Sequence, residues 1–251
     1  MQFIVVIPSR FLSTRLPGKP LIDIAGKTMI QRVYEQASKS TAADVIVATD
    51  DTRIFDVVQR FGGAVEMTSP AHASGTDRLQ EVVSRRRLAD DTVVVNVQGD
   101  EPLVPPAIID QVANNLAYER VEMATLSTPI AGAADVFDPN VVKVVTALDG
   151  TALYFSRAPL PWARDVFPVE PGAPVKDIYP YACHVGIYAY RARLLNEFVT
   201  WPVGQLERVE RLEQLRVVER GIPIHVDTAC EAIPPGVDTE KDLERVRQYL
   251  A

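Results

Sequence analysis

Three cations stand close together near the start of the chain: Arg10, Arg15 and Lys19, with the hydroxyls of Ser9, Ser13 and Thr14 and a Gly18 hinge among them. They follow an apolar run, Phe3 to Ile7, and no acidic residue precedes Asp23, although the net charge of the whole chain is −7. Such a donor-rich, one-signed loop opening from a buried strand suits a polyphosphate. Like charges about 8 Å apart repel by about 0.5 kcal/mol in water and by about 2 kcal/mol at an effective dielectric of 20. Spread over a solvated loop the three cations cost little and form an ordinary surface; converging on one pocket, they call for an anion. The spacing is neither a Walker A loop, since Lys19 is followed by Pro20, nor a GxGxxG fingerprint.

Carboxylates offer the complementary half of a phosphate site. Asp100 follows an apolar run, Val93-Val-Val-Asn-Val97, in the stretch Gln98-Gly-Asp-Glu-Pro102, and Gly99 leaves room for a ligand. Asp238 precedes a helix start. Mg²⁺ usually takes one or two protein carboxylates with phosphate oxygens and water, so Asp100 and Asp238 are candidate ligands. Each also has a plain reading, Asp100 as a turn aspartate held by its own backbone and Asp238 as a helix cap. His184, beside Cys183 in an apolar stretch, reads on its own as a hydrogen-bonded core histidine. Glu213 and Gln214 read as a solvated helix face.

The elements that must position these groups follow from periodicity. Phe3 to Ile7 reads as a buried strand ended by Pro8, then come a helix over 28–39, a strand over 45–49, a helix through Ile54 to Phe61 and a strand over 64–67. This β-α-β-α-β order argues for a parallel sheet flanked by helices. Ser74 and Asp77 have capping-box spacing, with a helix after them and strands over 93–97 and 123–128 beyond. Val141 to Ala147 and Thr151 to Phe155 flank the Asp149-Gly150 turn as an antiparallel hairpin. Residues 159–180 carry six prolines and little periodicity, which suggests a lid or an oligomer contact. A strand over 184–190 follows, then one helical face through Leu206, Val209, Leu212, Leu215 and Val218, a strand over 222–226, and a terminal helix with Thr239 and Asp242 as a capping pair. In open parallel sheets ligands sit beyond the carboxyl ends of the strands, which is where the basic loop, Asp50-Asp51, the Gln98 stretch and the approach to Asp238 fall.

At 251 residues and 47% hydrophobic, the chain suits one large domain, here 1–251, with about 125–190 as an elaboration. No basic block is long enough to track a nucleic acid; Arg85-Arg86-Arg87 is followed by Asp90-Asp91. Two cysteines and three histidines exclude a zinc cluster of ordinary spacing and a disulfide framework. The first residues carry no signal-peptide pattern and no run approaches a membrane span, so a cytoplasmic protein without membrane insertion is expected. The residues alone lead to a Mg-dependent enzyme or binder of a nucleotide or sugar phosphate.

Eight stretches in order sharpen this: Ile7-Pro-Ser-Arg with Ser13-Thr-Arg-Leu-Pro-Gly-Lys-Pro-Leu21, Val47-Ala-Thr-Asp50, Ser74-Gly-Thr-Asp-Arg78, Asn96-Val-Gln-Gly-Asp-Glu-Pro102, Tyr154-Phe-Ser-Arg157, His184-Val-Gly-Ile-Tyr188, Leu212-Glu-Gln-Leu-Arg216 and Gly236-Val-Asp-Thr239. Together they make the chain resemble the 3-deoxy-manno-octulosonate cytidylyltransferases (CMP-Kdo synthetases) over nearly its whole length. The resemblance implies a three-layer, Rossmann-like α/β fold of the nucleotide-diphospho-sugar transferase type: a mixed, mostly parallel sheet with an antiparallel hairpin or lid and a dimer-contact insertion. It implies CTP and an eight-carbon sugar acid as substrates, Mg²⁺ as cofactor, a homodimer, and a place in lipopolysaccharide synthesis.

The same resemblance assigns roles. Arg10, Arg15 and Lys19, with the backbone around Ser9 to Ser13, would hold the triphosphate, and Ser74, Gly75, Arg78 and Gln98 would recognise the nucleotide. Asp100 and Asp238 would ligate Mg²⁺. Arg157, His184, Tyr188, Glu213 and Gln214 would line the sugar pocket, Arg157 suiting a carboxylate. Ser9 stands where many relatives carry Ala, which a backbone contact survives. A cytidylyltransferase for a related acid, of the amino-substituted or sialic type, and a non-catalytic nucleotide binder on the same scaffold are the rivals; the latter would be expected to have lost a metal carboxylate.

Overall fold

The apolar run at the start of the chain becomes the middle of the sheet. Phe3–Ser9 forms strand β1 in a computed structural model that describes residues 2–12, 16–117, 121–170, 173–175 and 178–250. Pro8 does not end this strand as expected; it pairs with Ala48 and the strand runs on to Ser9. Val6 accepts a bond from Val97 N–H, so even-numbered residues of β1 face that neighbour, whose ladder ends at the Val6–Asn96 pair. The N–H that Pro8 lacks would point beyond the last rung, where no ladder bond is lost.

After β1 come a short hairpin that the periodicity did not indicate, β2 Asp23–Ile24 and β3 Lys27–Thr28, then helix α1 Met29–Ala37 capped by Thr28. Strand β4 Asp44–Thr49, helix α2 Thr52–Arg60 and strand β5 Ala64–Met67 match expectation. Helix α3 Gly75–Arg86 opens on the Ser74–Asp77 capping box. Strand β6 Val93–Asn96, helix α4 Pro106–Asn114 and strand β7 Met123–Pro129 follow. A short helix α5 Ala133–Phe137 precedes the hairpin β8 Lys143–Thr146 and β9 Ala152–Ser156, and β10 is Ala182–Arg191. The chain closes with α6 Ala192–Phe198, α7 Gln205–Glu210, α8 Leu215–Glu219, β11 Ile224–Thr228 and α9 Glu240–Leu250.

The main sheet has the order β11-β7-β10-β6-β1-β4-β5, with β8 and β9 branching from β10. Its neighbours are parallel except β10, which runs antiparallel to both β6 and β7. Alternation along β1 separates two apolar layers: Phe3, Val5 and Ile7 pack with Val33, Ile54 and Ile108, while Ile4 and Val6 pack with Leu79, Val82 and Leu195. Residues 157–181 form no helix or strand among those described, yet Phe167, Val175 and Tyr181 bury against Ala133 and Val136 as a separate small core.

One expected element is broken. The face traced by Leu206 to Val218 belongs to two helices, α7 and α8, because Arg211 takes a left-handed conformation at φ 55°. Val209, counted in that face, is exposed. The break is what turns Glu213 inward, since its carboxylate accepts a hydrogen bond from the Thr76 hydroxyl at the start of α3.

Candidate active site

Because β1 and β6 are adjacent and parallel, the segments leaving their carboxyl ends are neighbours. A cavity of about 260 Å³ opens between them, and Ser9, Arg10, Lys19, Gln98, Asp100 and Asp238 are part of its wall. A second, of about 190 Å³, shares Ser9, Arg10 and Gln98 and adds His72, Ser74, Gly75 and Arg78. Arg10 and Lys19 therefore do converge on one pocket, as an anion site requires. Ser13, Thr14 and Arg15 lie outside the described residues.

Two glycines make this geometry possible. Gly18, at φ 69°, caps the tight turn Lys19–Leu21, and a Cβ there would stand 3.1 Å from the Phe11 ring. At Gly99 a Cβ would meet the Pro8 carbonyl oxygen at 3.0 Å, so the Gln98–Asp100 segment can lie against the end of β1 only without a side chain.

Lys19 binds both candidate metal carboxylates: its Nζ is 2.6 Å from Asp100 Oδ2 and 3.1 Å from Asp238 Oδ1. Asp100 is thus no turn aspartate bonded to its own backbone. Nor does Asp238 cap α9; Thr239 and Asp242 cap it reciprocally, with Asp242 accepting from Thr239 N–H at 2.9 Å and Thr239 Oγ1 accepting from Asp242 N–H at 3.3 Å. The Val237 N–H also donates to the Asp100 carbonyl at 2.9 Å, holding the two aspartates together though they are far apart in sequence. Two carboxylates brought together at the wall of an open cavity match, in number and type, the protein ligands that Mg²⁺ usually takes. Glu101, the residue after Asp100, has its carboxyl pushed up to about 7 by burial and next by the Asp100 charge.

The nucleotide candidates divide. Ser74 and Gly75 present the start of α3 to the second cavity, where the helix dipole favours negative charge. Arg78 lies beneath, buried, donating to Asp50 Oδ2 at 2.8 Å and to the Thr68 hydroxyl. It shapes that wall while its charge is paired. Ser9 Oγ is buried without a hydrogen-bond partner among the described residues.

The sugar candidates form a second group, joined to the first through Glu213. That carboxylate accepts a hydrogen bond from the Thr76 hydroxyl; burial raises its pKa, and the Thr76 and Ser74 hydroxyls oppose the rise. Tyr188, Glu213 and Gln214 line a crevice of only about 20 Å³ with Tyr190 and Phe198, and Gln214 Nε2 is buried there unpartnered among the described residues. A bulge in β10 between Val185 and Tyr188 brings the His184 and Tyr188 rings to 5.3 Å, where four residues of regular strand would span about 13 Å. Thr125 Oγ1 has carbonyl acceptors at Val185, 2.9 Å, and Ile187, 2.8 Å, so its one proton is used and it accepts from His184 Nε2 at 3.2 Å. Nδ1 is then the acceptor of a neutral ring, which burial holds at a pKa of about 3.

Arg157 stands apart from that crevice. Its guanidinium donates to the carbonyls of Glu210, 2.6 Å, Pro139, 2.9 Å, and Arg211, 3.5 Å. Three of its five N–H donors are committed, which leaves two for a carboxylate. Glu210, for which periodicity assigns no role, accepts from Ser156 Oγ at 2.7 Å and from Arg157 N–H at 2.9 Å. His72, lining the second cavity against Glu81, was likewise missed as a wall residue, while Asp50 serves as the carboxylate partner of Arg78 and does not itself line that cavity. Glu210 left no signal, because it stands among charges of both signs, Glu207, Arg208 and Arg211.

A family model described as "Cytidylyltransferase" matches residues 4–227. The chain is 58% identical to the 3-deoxy-manno-octulosonate cytidylyltransferase of Saccharophagus degradans over 253 residues, covering 100% of this chain and 99% of that protein. It is 58% identical to the enzyme of the same name from Vibrio vulnificus, with 100% and 99% covered. A solved structure of a CMP:2-keto-3-deoxy-manno-octonic acid synthetase complexed with CTP superposes at a TM-score of 0.90 with 42% identity, covering 100% of this chain and 98% of that one. A cytidylyltransferase from Leptospira borgpetersenii, 16% identical at a TM-score of 0.61, shares the fold. A sheet whose first loop faces two aspartates across a phosphate-sized cavity, in a sequence this close to those enzymes, places the chain in the 3-deoxy-manno-octulosonate cytidylyltransferase family.

Proposed function

We propose that this site transfers the cytidylyl group of CTP to 3-deoxy-manno-octulosonate, giving the CMP-sugar and pyrophosphate. The observation that carries this reading is the paired cavity at the ends of β1 and β6, cationic at Arg10 and Lys19 and anionic at Asp100 and Asp238, in a chain of this family.

The sugar hydroxyl attacks the α-phosphorus of CTP in line, and pyrophosphate departs. Arg10, at the junction of the two cavities, holds phosphate oxygens; Ser74 and Gly75 place the start of α3 against the nucleotide. Lys19 fixes both aspartates in one place before substrate arrives and supplies positive charge beside the leaving group. Asp100 and Asp238 would hold Mg²⁺, which supplies charge neutralisation and a lowered pKa for the attacking hydroxyl. No dedicated protein base is then needed.

On the sugar side, the spare N–H donors of Arg157 pair with the carboxylate and His184 Nδ1 accepts from a hydroxyl. Tyr188, Glu213 and Gln214 line a crevice of their own, which neither Arg157 nor His184 lines in this structure. At about 20 Å³ their crevice is too small for an eight-carbon acid, so sugar binding widens it; the helix break at Arg211 is the natural place for that movement. The Pro-rich segment over 159–180, with Trp162 exposed, serves as a contact between two copies of the chain, and lipopolysaccharide synthesis is the use of the product.

The test is pyrophosphate release from CTP, Mg²⁺ and a panel of sugar acids, with other nucleotides as controls. Release with CTP and the parent acid supports the reading. Preference for an amino-substituted acid would move the specificity, and no release under varied metal and pH would sink it.

A further inference from the structure

Lys143 is completely enclosed, at 0% exposure, in strand β8 between Ser156 and Cys183. Its ammonium has three protons and three acceptors, all backbone carbonyls: Asp138 at 2.8 Å, Val141 at 2.5 Å and Arg157 at 2.7 Å. Burying an ammonium is costly unless each proton is bonded, and burial does lower its pKa, with Asp138 opposing. A core lysine that only filled space would be better replaced by Met or Leu. The choice of carbonyls is what gives it a purpose.

We propose that Lys143 is a positioning residue for the sugar-acid site, holding Arg157 at both its main chain and its side chain. One acceptor is the carbonyl of Arg157 itself. The other two, Asp138 and Val141, flank Pro139, whose carbonyl takes a bond from Arg157 Nη1 at 2.9 Å. A single ammonium therefore fixes both the backbone that carries the guanidinium and the loop on which it rests. Removing that charge frees the 138–141 loop and lets the guanidinium turn away from the bound acid. The inference rests on Arg157 being the partner of the sugar carboxylate.

The experiment compares Lys143→Met, Arg157→Ala and the double variant by pyrophosphate release, with thermal midpoints recorded. Lys143→Met is expected to raise the sugar-acid KM about tenfold with the CTP KM within about twofold, since a lost charge-assisted contact at the sugar side is read out there. Added to Arg157→Ala, it should raise the sugar KM no further. If Arg157→Ala raises the sugar KM and Lys143→Met does not, the positioning role is overturned while the carboxylate contact stands. If Arg157→Ala leaves the sugar KM unchanged, the carboxylate contact fails and the positioning role with it. Additive effects in the double variant also overturn the coupling. Should Lys143→Met not fold, Lys143→Gln, which keeps two donors, carries the same comparison; if neither folds, Lys143 is a folding residue and the proposal is wrong.

Discussion

The ammonium of Lys19 lies 2.6 Å from the carboxylate of Asp100, a residue 81 positions away, and 3.1 Å from that of Asp238. The cation most suited to a triphosphate thus also occupies the point between two carboxylates where a divalent ion would be held. On the proposed reading Mg²⁺ would compete with Lys19 for those two carboxylates, and a phosphate contact to Lys19 would relieve the competition.

Replacing Lys19 with Met should therefore separate metal binding from catalysis. Without nucleotide, removal of the competing charge should tighten Mn²⁺ binding by about tenfold, equivalent to about 1.4 kcal/mol, while turnover falls for want of the phosphate contact. Titration calorimetry or Mn²⁺ resonance reads the first effect and pyrophosphate release the second. Weaker metal binding in the variant would show that Lys19 organises the carboxylates more than it competes for them. Asp100→Asn should lower turnover severely, and near-normal activity would remove it from the metal site.

Arg10 sits at the junction of the two cavities. A charge-assisted hydrogen bond to phosphate is worth roughly 1.5–3 kcal/mol, so Arg10→Ala should raise the CTP KM by about ten- to a hundredfold. The sugar KM should change little; an equal rise in both would place Arg10 elsewhere in the reaction.

Gly99→Ala tests the close approach at the end of β1. Its Cβ would press on the Pro8 carbonyl oxygen at 3.0 Å, and backbone cannot swing aside as a side chain can. A loss of about 1–3 kcal/mol in stability is expected from chemical denaturation, with a larger fractional loss of turnover because Asp100 is the next residue. Unchanged turnover would mean that the segment tolerates displacement.

His184 makes stability depend on acidity in a defined direction. Burial holds its folded pKa near 3, below the unfolded value of about 6.5, so between those limits the unfolded chain binds the extra proton. Stability from this residue is complete above about pH 6.5 and falls as pH drops, by at most about 1.4 kcal/mol per pH unit. His184→Gln should flatten the stability profile between about pH 4 and 6 relative to the parent chain. Parallel profiles would show that the ring is hydrated and titrates normally.

Much of the frame was legible in the residues because it follows local rules. The apolar run of β1, the alternation that gives it two faces, and the Ser74–Asp77 cap are each written within a few positions, and all are present in the structure. Pro8 misled because a proline ends a strand only where its missing N–H is needed, and that depends on how far β6 extends alongside. The hairpin over 23–28 and the left-handed Arg211 went unseen, since neither has an apolar period of its own.

For the site, the sequence by itself determined the ingredients: a cationic loop, isolated carboxylates after buried strands, and an ordered set of motifs sufficient for the family. Only the tertiary structure decided the pairings. Lys19 meets Asp100 and Asp238, Arg157 rests on Pro139 and Glu210, and a strand bulge brings His184 to Tyr188. The reason is physical. Helix and strand periods express contacts a few residues away, whereas a hydrogen bond between side chains distant in sequence depends on which strands adjoin and where each ladder stops.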